Sequence, residues 1–193
     1  MIWWFDEKDI SLPTNSYDKQ IDETMGRKIK VSTDKLYQFM QEHNMMTYVM
    51  SQYMGVSESI VRGCFKHDLN RHGKPLQFSE VNIQKMNEAL PRLAVDLRGC
   101  LLSFGSEQTF TNRSGKVYDP AVAERIKEGM ARFFNMRALT ERLLGWNAQK
   151  CKARLASVSH QTYGHVSRED VDRLNDELVS VAGVLDCYEV VID

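Results

Sequence analysis

The chain has 193 residues, 42% of them hydrophobic, a formal net charge of −1 at pH 7 and four cysteines. That length supplies one or two hydrophobic cores, and the near-zero charge gives no global attraction to a polyanion. No stretch is long and apolar enough to span a bilayer, and Met1-Ile-Trp-Trp-Phe5, followed at once by Asp6-Glu7, is too short for the apolar region of a secretory signal. Cys64, Cys100, Cys151 and Cys187 form no C-x-x-C pair and read as reduced thiols of a cytoplasmic protein.

In chain order, residues 1–31 read as an N-terminal arm, polar and charged between 6 and 28, with Ile2-Trp-Trp-Phe5 as a candidate strand. Of the adjacent Trp3 and Trp4, one would point inward in a strand and the other outward. A first unit, 32–105, opens on helically spaced Leu36 and Met40, then Met45, Met46, Val49, Met50, Tyr53 and Met54, a face that predicts core or interface. Gly55 is the usual left-handed C-cap residue, Ser57 can cap the next helix, and Ile60, Val61, Cys64 and Phe65 give that helix one apolar face. A polar loop, Asn70-Arg-His-Gly-Lys-Pro-Leu-Gln-Phe78, leads to a closing helix from Ser79 to Leu90. Pro91 predicts a break before a second short helical run to Arg98, and Cys100-Leu-Leu-Ser-Phe104 predicts a trailing strand.

Residues 106–118 read as a hairpin linker turning at Asn112 and Gly115, after which Asp119-Pro120 opens a second unit, 119–193. There Leu139, Leu143 and Leu144 precede Gly145, Asn147 caps, and Cys151 and Leu155 face inward; Tyr188-Glu-Val-Val-Ile192 predicts a second trailing strand. Isolated strands are unstable alone, so the two trailing strands are expected to pair with each other or with Ile2–Phe5.

The two units share a text. Ser79-Glu-Val-Asn-Ile-Gln-Lys-Met-Asn-Glu-Ala-Leu90 recurs as Ser167-Arg-Glu-Asp-Val-Asp-Arg-Leu-Asn-Asp-Glu-Leu178, and Met46 to Gly55 aligns without a gap on Met136 to Gly145. Helix, short turn containing Gly, helix is the spacing of a helix-turn-helix. Met54-Gly-Val-Ser-Glu-Ser-Ile-Val61, with Asn82 to Leu90 as a closing helix, resembles the lambda-repressor-like (Cro/repressor-type) DNA-binding domain over residues 33–98, and less closely over 120–185. Trp146 stands where Val56 does, and the loop before the first closing helix is longer and more polar than is usual in that family. The resemblance implies a mainly α protein of two tandem lambda-repressor-like helical units, with short strands and a hairpin between and after them.

It also implies double-stranded DNA as the partner and a role as a transcriptional regulator or mobile-element protein. The outward set of the first motif is Ser57, Glu58, Ser59, Arg62 and Lys66, with Asn70, Arg71 and Lys74 in the following loop; the second presents Ala148, Gln149, Lys150, Lys152 and Arg154. Arg reaches guanine bidentately, Glu accepts from cytosine, and Ser serves base edges or phosphates. Between Gly145 and His165 there are three basic residues and no acid, whereas Val166 to Asp193 carries eight acids against two Arg. Trp146 either plugs its turn or stacks on a DNA sugar, and the plug is the expectation.

The plain alternative is that these charges are simply solvated and the units serve as a protein-interaction or scaffold module, since helix-turn-helix units also bind proteins. A homodimer is left open. The pairs His67/His72 and His160/His165 lie in polar loops without a second cysteine nearby, so no metal is expected. No Gly-rich phosphate loop, H-E-x-x-H or G-x-S-x-G motif is present, so neither a cofactor nor an enzymatic activity is expected.

Overall fold

The computed structural model describes residues 28–105, 109–111, 113–115, 117–119, 121–155 and 166–192. The arm up to residue 27 with Trp3 and Trp4, the turn residue Asn112, and His160 and His165 lie outside the described residues.

The protein is mainly helical with a few short strands. Strand β1 (Ile29–Val31) leads into α1 (Thr33–Glu42), α2 (Thr47–Met54), α3 (Glu58–Phe65) and the long α4 (Glu80–Arg98). Then come β2 (Phe110–Thr111), β3 (Val117–Asp119), α5 (Ala121–Glu128), a 3-10 turn (Met130–Arg132), α6 (Met136–Leu144) and α7 (Ala148–Arg154). β4 (Val166–Ser167), the long α8 (Arg168–Cys187) and β5 (Tyr188–Val190) complete the chain. The buried apolar side chains of both halves belong to one contiguous core.

Local chemistry sets the boundaries. α2 and α6 both stop at a left-handed glycine, Gly55 at φ 63° and Gly145 at φ 62°, where any side chain would be strained although the space around it is open. Ser79 and Ser167 cap the two long helices, each hydroxyl accepting from the backbone N–H three residues on, and Asp170 completes a capping box with Ser167. Met45, Met50 and Met54 are buried, as are Cys64 and Cys151, and all four cysteines are free.

Several expectations need correction. No helix break occurs at Pro91: α4 runs through it. An interior proline costs about 3 kcal/mol, but Leu90, Leu93, Ala94 and Leu97 around it are all buried, and each buried leucine contributes about 1.5–3 kcal/mol. Arg92 Nε also donates to the Glu88 carbonyl in the disturbed turn. Residues 100–104 are not a strand; the Leu102 backbone is held by a side chain instead, its N–H donating to Asn175 Oδ1 at 2.8 Å and its carbonyl accepting from Asn175 Nδ2 at 2.9 Å. The second tail is a strand, β5, but its partner is β1 at the end of the expected arm, in parallel, with Val31 opposite Val190. The hairpin of β2 and β3 is present, and β4 adds a third strand through Asp119–Val166. Ile60 is exposed rather than inward; the buried side of α3 is formed by Val61, Gly63, Cys64 and Phe65, with the end of Leu76 close to Gly63.

The two long helices pack on each other, and their contacts are reciprocal. Asn87 does for Val190 what Asn175 does for Leu102, accepting from its N–H at 2.7 Å and donating to its carbonyl at 2.9 Å. One spacing separates Ser79 from Ser167, Asn87 from Asn175, Arg98 from Asp186 and Leu102 from Val190. Arg98 and Asp186 are ion-paired at 3.1 Å. Met45 and Phe134, at the entrances to α2 and α6, form an antiparallel bridge, closed by Met46 N–H to the Phe133 carbonyl and Asn135 N–H to the Asn44 carbonyl.

Candidate nucleic-acid interface

α3 is held by three buried side chains on one side, Val61, Cys64 and Phe65. The Phe65 ring stacks on Tyr37 at 5.0 Å and meets Phe78 edge-on at the same distance, so α3 is tied to α1 and to the segment before α4. Burial raises the Cys64 thiol above its ordinary range, which keeps it protonated and inert. On the opposite side Ser57, Glu58, Ser59, Arg62 and Lys66 are exposed. Ser57 begins the helix without a side-chain cap bond, its hydroxyl lying 3.3 Å from that of Ser59. Among the described residues, Arg62 and Lys66 have no ion-pair partner.

The loop after α3 is itself folded. Leu69 and Pro75 bridge across it, Asn70 N–H donates to the Lys74 carbonyl, and Leu76 N–H to the Asp68 carbonyl. Asn70 also shapes this loop: its Oδ1 accepts from the His72 and Lys74 N–H groups. Arg71 and Lys74 are exposed at the tip, Arg71 Nε donating to His72 Nε2 at 3.1 Å. His67 Nε2 lies 2.9 Å from Asp34. No group of three His, Cys, Asp or Glu side chains among the described residues is arranged to hold a metal ion.

The second motif differs in what it leaves free. Trp146 is buried to 1% exposure and plugs the turn after α6. Lys150 and Arg154 lie over its ring, the guanidinium 5.1 Å and the ammonium 6.0 Å from the centroid. Arg154 also pairs with Asp170 at 3.5 Å, so it is not the free cation expected from the sequence. Gln149 and Lys152 are exposed, Ala148 is half-buried, and Asn147 Oδ1 caps the helix through Lys150 N–H. Leu139 and Cys151 are buried, whereas Leu143, Leu144 and Leu155 are half-buried.

Glu58 and Arg62 open onto a groove of about 360 Å³ whose other walls include Asn44, Met45, Asn135 and Ala138. The groove therefore runs from the outer side of α3 to the Met45–Phe134 bridge, between the starts of α2 and α6. No helix of the described residues is long and apolar enough to cross a membrane.

A polar cluster escaped the sequence reading. Glu177 is 8% exposed in the packed side of α8, where it accepts from His43 Nδ1 at 2.7 Å and from the Arg142 guanidinium, linking α1, α6 and α8. Burial works against its charged form, but the hydrogen bonds from His43 and Arg142 outweigh it and hold the carboxyl below its ordinary range. A readable signal was present: Glu177 stands opposite Ala89 in the repeat, among the buried positions Val171, Leu174, Leu178 and Val181. With a folded pKa below the unfolded one, its stabilisation is present above the ordinary carboxylate range and is lost as pH falls through the folded value. Glu177→Gln is expected to lower stability by about 1.5–3 kcal/mol near neutral pH. In urea titrations over pH, the gap between variant and native protein should narrow on acidification; a gap that is constant or widens contradicts this account.

Comparison with known proteins returned no matching family model, no matching curated protein and no matching solved structure.

Proposed function

We propose that the chain binds double-stranded DNA sequence-specifically, as a transcriptional regulator or mobile-element protein, through two lambda-repressor-like helix-turn-helix units. The observation that carries this reading is the sidedness of α3: Val61, Cys64 and Phe65 are buried, while Arg62 and Lys66 stand exposed without an ion-pair partner among the described residues, beside Ser57, Glu58 and Ser59. A guanidinium unused by the protein costs little to redirect to a base edge, and neighbouring hydroxyl and carboxylate groups supply the mixed donors and acceptors that base reading uses. The left-handed turns at Gly55 and Gly145 support a common plan for the two units.

The second reading is a protein-interaction module. It is favoured by Ile60 at 48% and Leu69 at 68% exposure, apolar groups beside the same face.

The two motifs should contribute differently. Base contacts specify and phosphate contacts position. Arg62→Ala is therefore expected to change which sequences are preferred, whereas Lys152→Ala weakens binding to all sequences alike and lowers the slope of log K against log salt by about one. Paired salt titrations on selected and scrambled duplexes measure both. No binding by the native protein at low salt would remove the DNA reading in favour of the interaction module.

A further inference from the structure

We infer that the two units face each other across an intramolecular two-fold axis, so that the DNA the chain recognises is a pair of unlike half-sites in inverted orientation, occupied by one copy of the protein. The inference rests on the DNA-binding reading and names the form of its ligand.

Two copies of a unit in one chain can be related by translation or by a two-fold rotation, and contacts tell them apart. A head-to-tail relation brings different patches together, so that a contact of residue i with j has no mirror; a two-fold relation makes the contacts beside the axis reciprocal, even where outlying ones, such as β1 with β5, have no match. Here Asn87 grips Val190 and Asn175 grips Leu102 through the same pair of hydrogen bonds. Arg98 meets Asp186, its own counterpart in the repeat, as only residues beside such an axis can. Those contacts make α4 and α8 antiparallel over their C-terminal halves, and the Met45–Phe134 bridge is antiparallel as well.

A two-fold axis keeps equivalent groups at equal height along it. Arg62 and Lys152 are equivalent, being separated by the spacing that separates Gly55 from Gly145. The Glu58 and Arg62 side of α3 shares a groove with Met45 and Asn135 at the bridge, so this outer face opens where the axis emerges. The half-sites must be unlike because the readers are: Glu58, Ser59 and Arg62 correspond to Ala148, Gln149 and Lys152. The opposite charges of Arg98 and Asp186 also favour the mixed pair over a like pair, and the surface through which a second copy would repeat this contact is already occupied within the chain.

The test begins with selection from a randomised duplex DNA library by the full chain at low salt. Synthetic duplexes then carry the two recovered blocks in inverted or direct orientation, with stoichiometry read by sedimentation. The expected outcome is one protein per duplex, block centres about 10 base pairs or a multiple apart, and a preference of about 100-fold for the inverted arrangement. Arg98→Asp should reduce that preference, and adding Asp186→Arg should restore it. A preference for direct repeats, two proteins per duplex, or a consensus of one block overturns the inference while leaving DNA binding intact. Failure of the native protein to retain any duplex overturns both.

Discussion

Phe65→Ala should lower the unfolding free energy by about 3–5 kcal/mol, the cost of removing a fully buried ring whose site collapses only in part. The residue is 3% exposed, and its ring lies between Tyr37 and Phe78, so its loss unlinks α3 from α1 and from the approach to α4 at once. Arg62→Ala, three residues earlier on the opposite side, should change stability by less than about 0.5 kcal/mol. Urea denaturation of the two variants provides the check. Equal losses, or a larger loss for Arg62→Ala, would mean that the inner and outer sides of α3 are wrongly assigned.

Asn175→Ala should be of similar size for a different reason. Its amide serves both backbone groups of Leu102, a residue 5% exposed, so truncation orphans a donor and an acceptor together. Each buried group left without a partner costs about 1–3 kcal/mol. Asn87→Ala should behave alike through Val190, which is 2% exposed. Hydrogen exchange offers a sharper reading than the melt: the Leu102 amide should lose protection in the first variant and the Val190 amide in the second, with the other amide little changed. Exchange that rises equally at both positions would show that the asparagines are not separate clasps.

Where apolar spacing met local capping chemistry, the sequence was legible. The glycine stops, the serine caps at 79 and 167, the methionine face of α2 and the inward Phe65 all follow from rules that act within about a turn of helix. Long-range partners were not legible. Nothing in Ile29-Lys-Val31 announces that it pairs with Tyr188–Val190, because a three-residue edge strand has no periodicity of its own. Proline at 91 predicts a break by its local cost, and only the leucines buried around it reverse the balance. Among the described residues, the outward cations Arg62 and Lys152 have no ion-pair partner, whereas Arg154 is drawn to Asp170 and to the Trp146 ring, neighbours that helical spacing does not reveal. Asn70 holds its own loop through Oδ1, a use that its residue type alone does not reveal. Glu177 could have been suspected as a carboxylate among apolar positions, yet its partners His43 and Arg142 come from two other helices.

The pairing of β1 with β5 also bears on how the chain can be made. Its partners lie near the two ends of the described chain, and the grips of Asn87 on Val190 and Asn175 on Leu102 also join distant parts of the sequence, 103 and 73 residues apart. A ribosome releasing the first half exposes the Asn87 amide, the outer edge of β1 and the α8-facing side of α4 long before their partners exist. Contacts of such separation close late and slowly, because the chain between them must lose its freedom before they form. The nascent first half therefore waits as an incomplete body with an apolar helix face uncovered, and its exposure to chaperones and to aggregation lasts until α8 and β5 emerge.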